Sequence, residues 1–218
     1  MSCSLEVKDL SYKVDGKILF KNVNFKLGHK DKIAIIGPNG AGKTTLLKII
    51  AGLKKPEKGE IYFFDKKVKN EKDYEEVRFR LGFLFQDPED QLIFPTVLED
   101  VAFGLINRGM QIEEAKKKAE LMLKDLEIYH LKDKITFRLS GGEKKLVALA
   151  GILIIEPDIL LLDEPSTALD DSYTQKIIEI LKNLNKTILI VSHDFKFTEN
   201  IVDNFFTLTP DGLALKEF

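Results

Sequence analysis

The segment Gly37-Pro38-Asn39-Gly40-Ala41-Gly42-Lys43-Thr44 restricts what this chain can fold into more than any other stretch. It follows a short apolar run, Lys32 to Ile36, which reads as a buried strand. After it, from Thr45 to Leu53, apolar residues recur at helical spacing until Gly52 and Pro56 stop them. Strand, glycine loop and helix in that order give the pattern G-x-x-x-x-G-K-[ST] its mechanical meaning. Glycines at 37, 40 and 42 let backbone amides turn inward around a phosphate, and the helix N-terminus adds a partial positive charge of about 0.5. In such a loop Lys43 reaches the β- and γ-phosphates and the Thr44 hydroxyl ligates magnesium. Pro38, Asn39, Ala41 and Thr45 complete the expected cradle.

A phosphate loop that does chemistry needs carboxylates near it. Ile159-Leu160-Leu161-Leu162-Asp163-Glu164 places four apolar residues before two acids, which predicts a central strand with carboxylates at its end, where open parallel sheets bind ligands. There Asp163 can support magnesium, and Glu164, pointing the other way, can orient or deprotonate a water. Elsewhere, alternation at Leu5, Val7 and Ile18 to Leu27 around Asp15-Gly16 predicts antiparallel strands. Glu60 to Phe64, Leu81 to Phe85 and Thr187 to Val191 predict further strands, with a helix from about Ser172 to Leu184. The polar stretch between Phe64 and Leu81 reads as a surface excursion. The charged run Glu113 to Lys134 spaces Ile112, Ala115, Ala119, Met122, Leu123 and Leu126 as an amphipathic helical region.

With 33 basic against 35 acidic residues the net charge is −2, so a generic nucleic-acid-binding surface is not expected. The longest apolar stretch, Leu146 to Ile155, is too short to span a bilayer. The N-terminus lacks a secretory pattern, which places the expected location in the cytoplasm. The one cysteine, Cys3, reads as incidental.

Leu139-Ser140-Gly141-Gly142-Glu143 precedes the apolar helix Leu146 to Ile155 and lies about 20 residues before Asp163-Glu164. Here the chain resembles the nucleotide-binding subunits of ABC transporters, whose LSGGQ signature occupies this place, and the resemblance covers nearly the whole chain. It implies an α/β fold: a P-loop NTPase, RecA-like core (1–87 and 157–218), an N-terminal antiparallel β-subdomain within it, and an inserted α-helical signature subdomain (88–156). It also implies roles for other residues. Gln86 resembles the Q-loop glutamine that senses the γ-phosphate and contacts the metal. Thr167-Ala168-Leu169-Asp170 resembles the D-loop, His193 the switch histidine and Tyr12 the aromatic that stacks on adenine. Ser140, Gly141, Gly142 and Glu143 would complete the ATP site of a second subunit, so that two chains, identical or related, sandwich two ATP molecules.

The stretch from Phe85 to Gly104 is similar to that of energy-coupling factor ATPases, including the cobalt and nickel uptake type. It implies a groove for a helix of an integral membrane subunit, with Leu92, Ile93 and Phe94 as apolar contacts. The function implied is that of an ATP- and magnesium-dependent motor on the cytoplasmic face of the membrane, importing cobalt, nickel or a vitamin. Another ABC importer or exporter motor, or a soluble ABC ATPase acting on DNA or ribosomes, remains as an alternative. The chain departs from the pattern at Glu143, where glutamine is commonest, at Leu146, where arginine is usual, and at Ser166-Thr167-Ala168.

Overall fold

A computed structural model describes residues 3–216; the side chain of Cys3 lies outside the described residues. In chain order the elements are strands β1 (Cys3–Val14), β2 (Lys17–Gly28) and β3 (Lys32–Ile36), helix α1 (Lys43–Ile50), strands β4 (Lys58–Phe63) and β5 (Lys66–Val68), helix α2 (Glu71–Arg78) and strand β6 (Leu81–Leu84). Helices α3 (Val97–Asn107), α4 (Ile112–Asp125) and α5 (Gly141–Leu153) follow. Then come β7 (Ile159–Asp163), α6 (Asp171–Asn183), β8 (Thr187–Ser192), α7 (Phe195–Thr198), β9 (Asn204–Thr209) and β10 (Gly212–Leu215).

The chain divides into two units. The first comprises the chain up to Phe83, Asp158–Glu164 and the chain from Leu184 onward. It holds a four-stranded antiparallel sheet, in the order β2-β1-β4-β5, and a six-stranded sheet, β10-β9-β3-β8-β7-β6. Every residue of β7 and β8 is buried, as expected of parallel strands covered on both faces, and this is why both read as unbroken apolar runs. β3 runs parallel to β8 with Lys32 opposite Ile188, and β7 runs parallel to β8 with Ile159 opposite Thr187. Those registers bring the ends of β3, β7 and β8 to one edge of the sheet, so that Gly37, Glu164 and His193 all emerge there. Helix α1 packs against β7 and β8.

The β1–β2 hairpin turns on Asp15 and Gly16, both at positive φ (48° and 78°), the backbone that a two-residue hairpin turn demands. Helix α2 replaces the expected surface excursion. It buries only Val77, so it shows no apolar period; its signal is Asn70, whose side chain accepts a hydrogen bond from the Asp73 amide at 3.2 Å. Strands β9 and β10 pair antiparallel beyond the last strand expected from sequence.

The second unit comprises Leu84–Pro157 and Pro165–Asn183, and contains α3 to α6. Besides the helical part expected at 88–156, this unit takes in 165–183, where α6 packs against α5. The contact is close. A Cβ on Gly142 would stand 2.4 Å from the Tyr173 ring, so only glycine fits. Thr96 caps α3 through a reciprocal pair: its Oγ1 accepts from the Glu99 amide at 3.4 Å, and its own amide donates to Glu99 Oε2 at 3.2 Å. Thr96→Ala is expected to lower unfolding stability by about 1 kcal/mol, read by urea denaturation, because it leaves the first turn of α3 uncapped.

Candidate functional site

The phosphate loop ends at Gly42, whose φ of 94° lies in the left-handed region that favours glycine. Space excludes a side chain as well, since a Cβ there would approach Leu19 Cγ to 2.7 Å. As the N-cap of α1, Gly42 supplies no side-chain acceptor, which leaves the first-turn amides to an anion. Lys43 opens the helix and is almost fully buried. Its ammonium donates to the Gly37 carbonyl at 2.8 Å and the Pro38 carbonyl at 3.2 Å, and faces Glu164 Oε1 at 3.3 Å. The Thr44 hydroxyl donates to Asp163 Oδ1 at 2.9 Å, joining the start of α1 to the end of β7.

A hydroxyl and a buried carboxylate side by side are hard oxygen donors, and they fit a magnesium ion that retains waters and phosphate oxygens. Among the described residues no cluster of three or more histidines, cysteines or acids could hold a metal alone.

Glu164 is held in an uncommon backbone conformation, φ 45°, immediately after β7. Its Oε2 accepts from Ser192 Oγ at 3.0 Å, from the His193 amide at 3.2 Å and from His193 Nδ1 at 2.8 Å. A carboxylate only accepts, so His193 carries its proton on Nδ1 and keeps Nε2 for another partner. The His193 side chain is half exposed, whereas Glu164 is not. Ser192 was not singled out in the sequence. The available signal was its place as the one hydroxyl at the end of an apolar run, directly before His193. Tyr12 lies opposite Phe20 in the β1–β2 register, their rings 6.3 Å apart, with the Lys54 ammonium 4.9 Å from the Tyr12 ring centre. Phe20 in turn borders Gly42, 3.1 Å from where its Cβ would be.

The structure thus brings together Lys43, Thr44, Asp163, Glu164 and His193. Gln86, Ser140 to Glu143 and Asp170 belong to the second unit. There Ser140 is the N-cap of α5: its Oγ accepts from the Glu143 amide at 3.2 Å, while its own amide donates to Glu143 Oε2 at 2.8 Å. This S-x-x-E capping box explains how glutamate serves at position 143. Burial works against the Glu143 charge, but Lys134 at 2.9 Å and the Ser140 amide outweigh it and hold the carboxyl below its usual range. Asp170 accepts from the Tyr173 amide at 3.0 Å and Ser172 Oγ at 2.8 Å, at the start of α6. The Tyr173 amide above all lowers its pKa.

Residues 20–167 match the sequence profile of the family described as ABC transporter. The chain is 41% identical over 218 residues to the energy-coupling factor transporter ATP-binding protein EcfA of Methanocaldococcus jannaschii, covering 98% of this chain and 78% of that protein. Among solved structures it is similar to cbiO1 from Clostridium perfringens, described as part of the ABC transporter complex cbiONQ, with a TM-score of 0.86 and 37% identity over 99% of this chain and 88% of that one. It is also similar to an ATP-binding cassette solved as a dimer in a post-hydrolysis state with ADP and Pi, with a TM-score of 0.87 and 32% identity over 98% of both chains.

Two substitutions separate the parts of this constellation. If Glu164 is the proton acceptor expected from sequence, Glu164→Gln should bind ATP at least as well as the parent while single-turnover hydrolysis slows about 10²- to 10⁴-fold, because that acceptor is lost and Lys43 is relieved of a competing carboxylate. Parent-like turnover would remove Glu164 from its role. Lys43→Ala is expected to weaken ATP binding about 10- to 100-fold in equilibrium titration, the loss of a charged hydrogen-bond donor.

Proposed function

The chain belongs to the ABC transporter family, as one of its ATP-binding cassette ATPases, and on that premise we propose that it is the motor subunit of a membrane importer of the energy-coupling factor type. The observation that carries the proposal is similarity along almost the whole chain to a protein named as an energy-coupling factor ATPase, joined to likeness in structure to the cbiO1 component of a transporter complex. Cobalt, nickel or a vitamin is the cargo class that fits this reading.

In the proposed reaction the α1 amides and Lys43 hold the β- and γ-phosphates, and Tyr12 offers a face to the adenine. Thr44, Asp163 and Gln86 would hold magnesium, whose chemistry is to neutralise phosphate charge. Glu164 accepts a proton from water as the new bond to the γ-phosphorus forms. The bond from that phosphorus to the β–γ bridging oxygen breaks, and ADP keeps the electron pair. Ser192 and His193 fix Glu164 in position. Ser140, Gly141 and Gly142, with the start of α5, present a hydroxyl and amides to the γ-phosphate on a second subunit, so hydrolysis requires a pair of chains.

The coupling face lies on the segment after Gln86. Asp100 accepts from the Ile93 and Phe94 amides at 2.7 Å each, pinning the turn, and burial pushes its carboxyl up despite those bonds. Ile93 is 66% exposed, while Phe94 packs on Phe103 with ring centres 4.7 Å apart. A rigid turn presenting an apolar residue beside acids suits an amphipathic helix of a membrane subunit. Among the described residues no helix is long and apolar enough to cross a membrane, so the transport path would belong to that partner.

Affinity purification from native membranes is expected to recover an integral membrane subunit together with a second ATPase copy or relative. Ile93→Asp should reduce capture of the membrane subunit by about thirtyfold while leaving ATP binding unchanged. Recovery of ribosomal or DNA-repair components in place of a membrane protein would overturn the assignment.

A further inference from the structure

Helix α5 buries a charge that the nucleotide site does not use. Among the described residues two lysines are buried, Lys43 in the phosphate loop and Lys145, which is 1% exposed. Taking an ammonium out of water is costly unless acceptors replace the lost hydration. The Lys145 ammonium donates to the Gln86 carbonyl at 2.6 Å and to the Phe85 carbonyl at 3.3 Å. These two acceptors are backbone atoms, so the bonds to them fix where the chain runs at Gln86 rather than what its side chain is.

Further bonds tie the same loop to the same helix. Gln91 Nε2 donates to the Ala148 carbonyl at 3.2 Å, and Gln91 Oε1 accepts from the Phe85 amide at 3.3 Å. Lys144, itself largely buried, pairs with the exposed Glu89. The Lys145 bonds are the buried, charge-assisted ones. Residues 85–91 and α5 are therefore one mechanical piece, and α5 carries Ser140 to Glu143 at its N-terminus, about one turn from Lys145.

We propose that Lys145 is a positioning residue for ATP hydrolysis, which holds the backbone at Gln86 so that the Gln86 side chain and the Ser140–Glu143 segment move together. The inference rests on the reading that Gln86 acts at the nucleotide site. Lys145 reaches the nucleotide site through the backbone at Gln86. Its loss therefore lowers kcat while leaving the KM for ATP and the affinity for nucleotide near the parent values.

The test is a double-mutant cycle in the full-length protein. K145M keeps the aliphatic stem and removes the donor, K145Q keeps a neutral donor, and both are combined with Q86A. K145M is expected to lower kcat about tenfold or more with ATP affinity within about twofold of the parent. K145Q should recover part of the loss, and in the Q86A background K145M should cost less than about twofold further. Parent-like kcat in folded K145M, losses that multiply in the Q86A background, or failure of both K145M and K145Q to fold would make Lys145 a structural residue and overturn the proposal. If Q86A alone turned over like the parent, the role of Gln86 would fall and take this inference with it; that result is distinct from multiplying losses.

Discussion

A lysine at the start of α1 and a glutamate at the end of β7, both almost removed from water, face each other at 3.3 Å. A buried pair of this kind is weak as a source of stability, since desolvation offsets most of the attraction. What it constrains is geometry. Each partner has further bonds that hold it in place: two loop carbonyls for Lys43, and a serine hydroxyl, an amide and an imidazole for Glu164. The loop is thus kept shaped around a cation that anionic phosphates can recruit.

That arrangement depends on the parallel register of β3, β8 and β7. Their burial on both faces leaves no room for slippage, because a shift of one residue would turn Asp163 into the core and Leu162 toward the loop. The second unit uses a different device. Ser140–Glu143 and Thr96–Glu99 are reciprocal caps that fix where α5 and α3 begin. Helix starts so defined suit residues that must present amides or a turn to a partner.

Much of the fold was legible. The phosphate loop, the all-apolar runs at Ile159 and Thr187, and the Asp15-Gly16 turn each carry a strong local signal, because backbone chemistry or complete burial dictates the residue types. α2 was not legible as a helix, since it buries one residue and its amphipathic period is missing. The transfer of 165–183 to the helical unit was also hidden, since it rests on a ring packed over Gly142 rather than on any local preference. Within the site, the residues Lys43, Thr44, Asp163, Glu164 and His193 could be picked out by type and order, while Ser192 could not, and neither could Lys145 on α5. Their importance comes from what they touch.

By itself the sequence determined the local parts: a glycine loop with the backbone freedom to wrap a phosphate, strands apolar enough to lie inside a sheet, acids at a strand end, and hydroxyl and glutamate at capping spacing. These follow from steric and hydrophobic rules that act within a few residues. Only the tertiary structure decided that Glu164 is shared by a lysine from one element and a serine and histidine from another, and that a buried ammonium on α5 grips the chain at Gln86. Such contacts join residues 28 to 121 positions apart, where pairing is set by strand register and helix packing, and no local pattern encodes it.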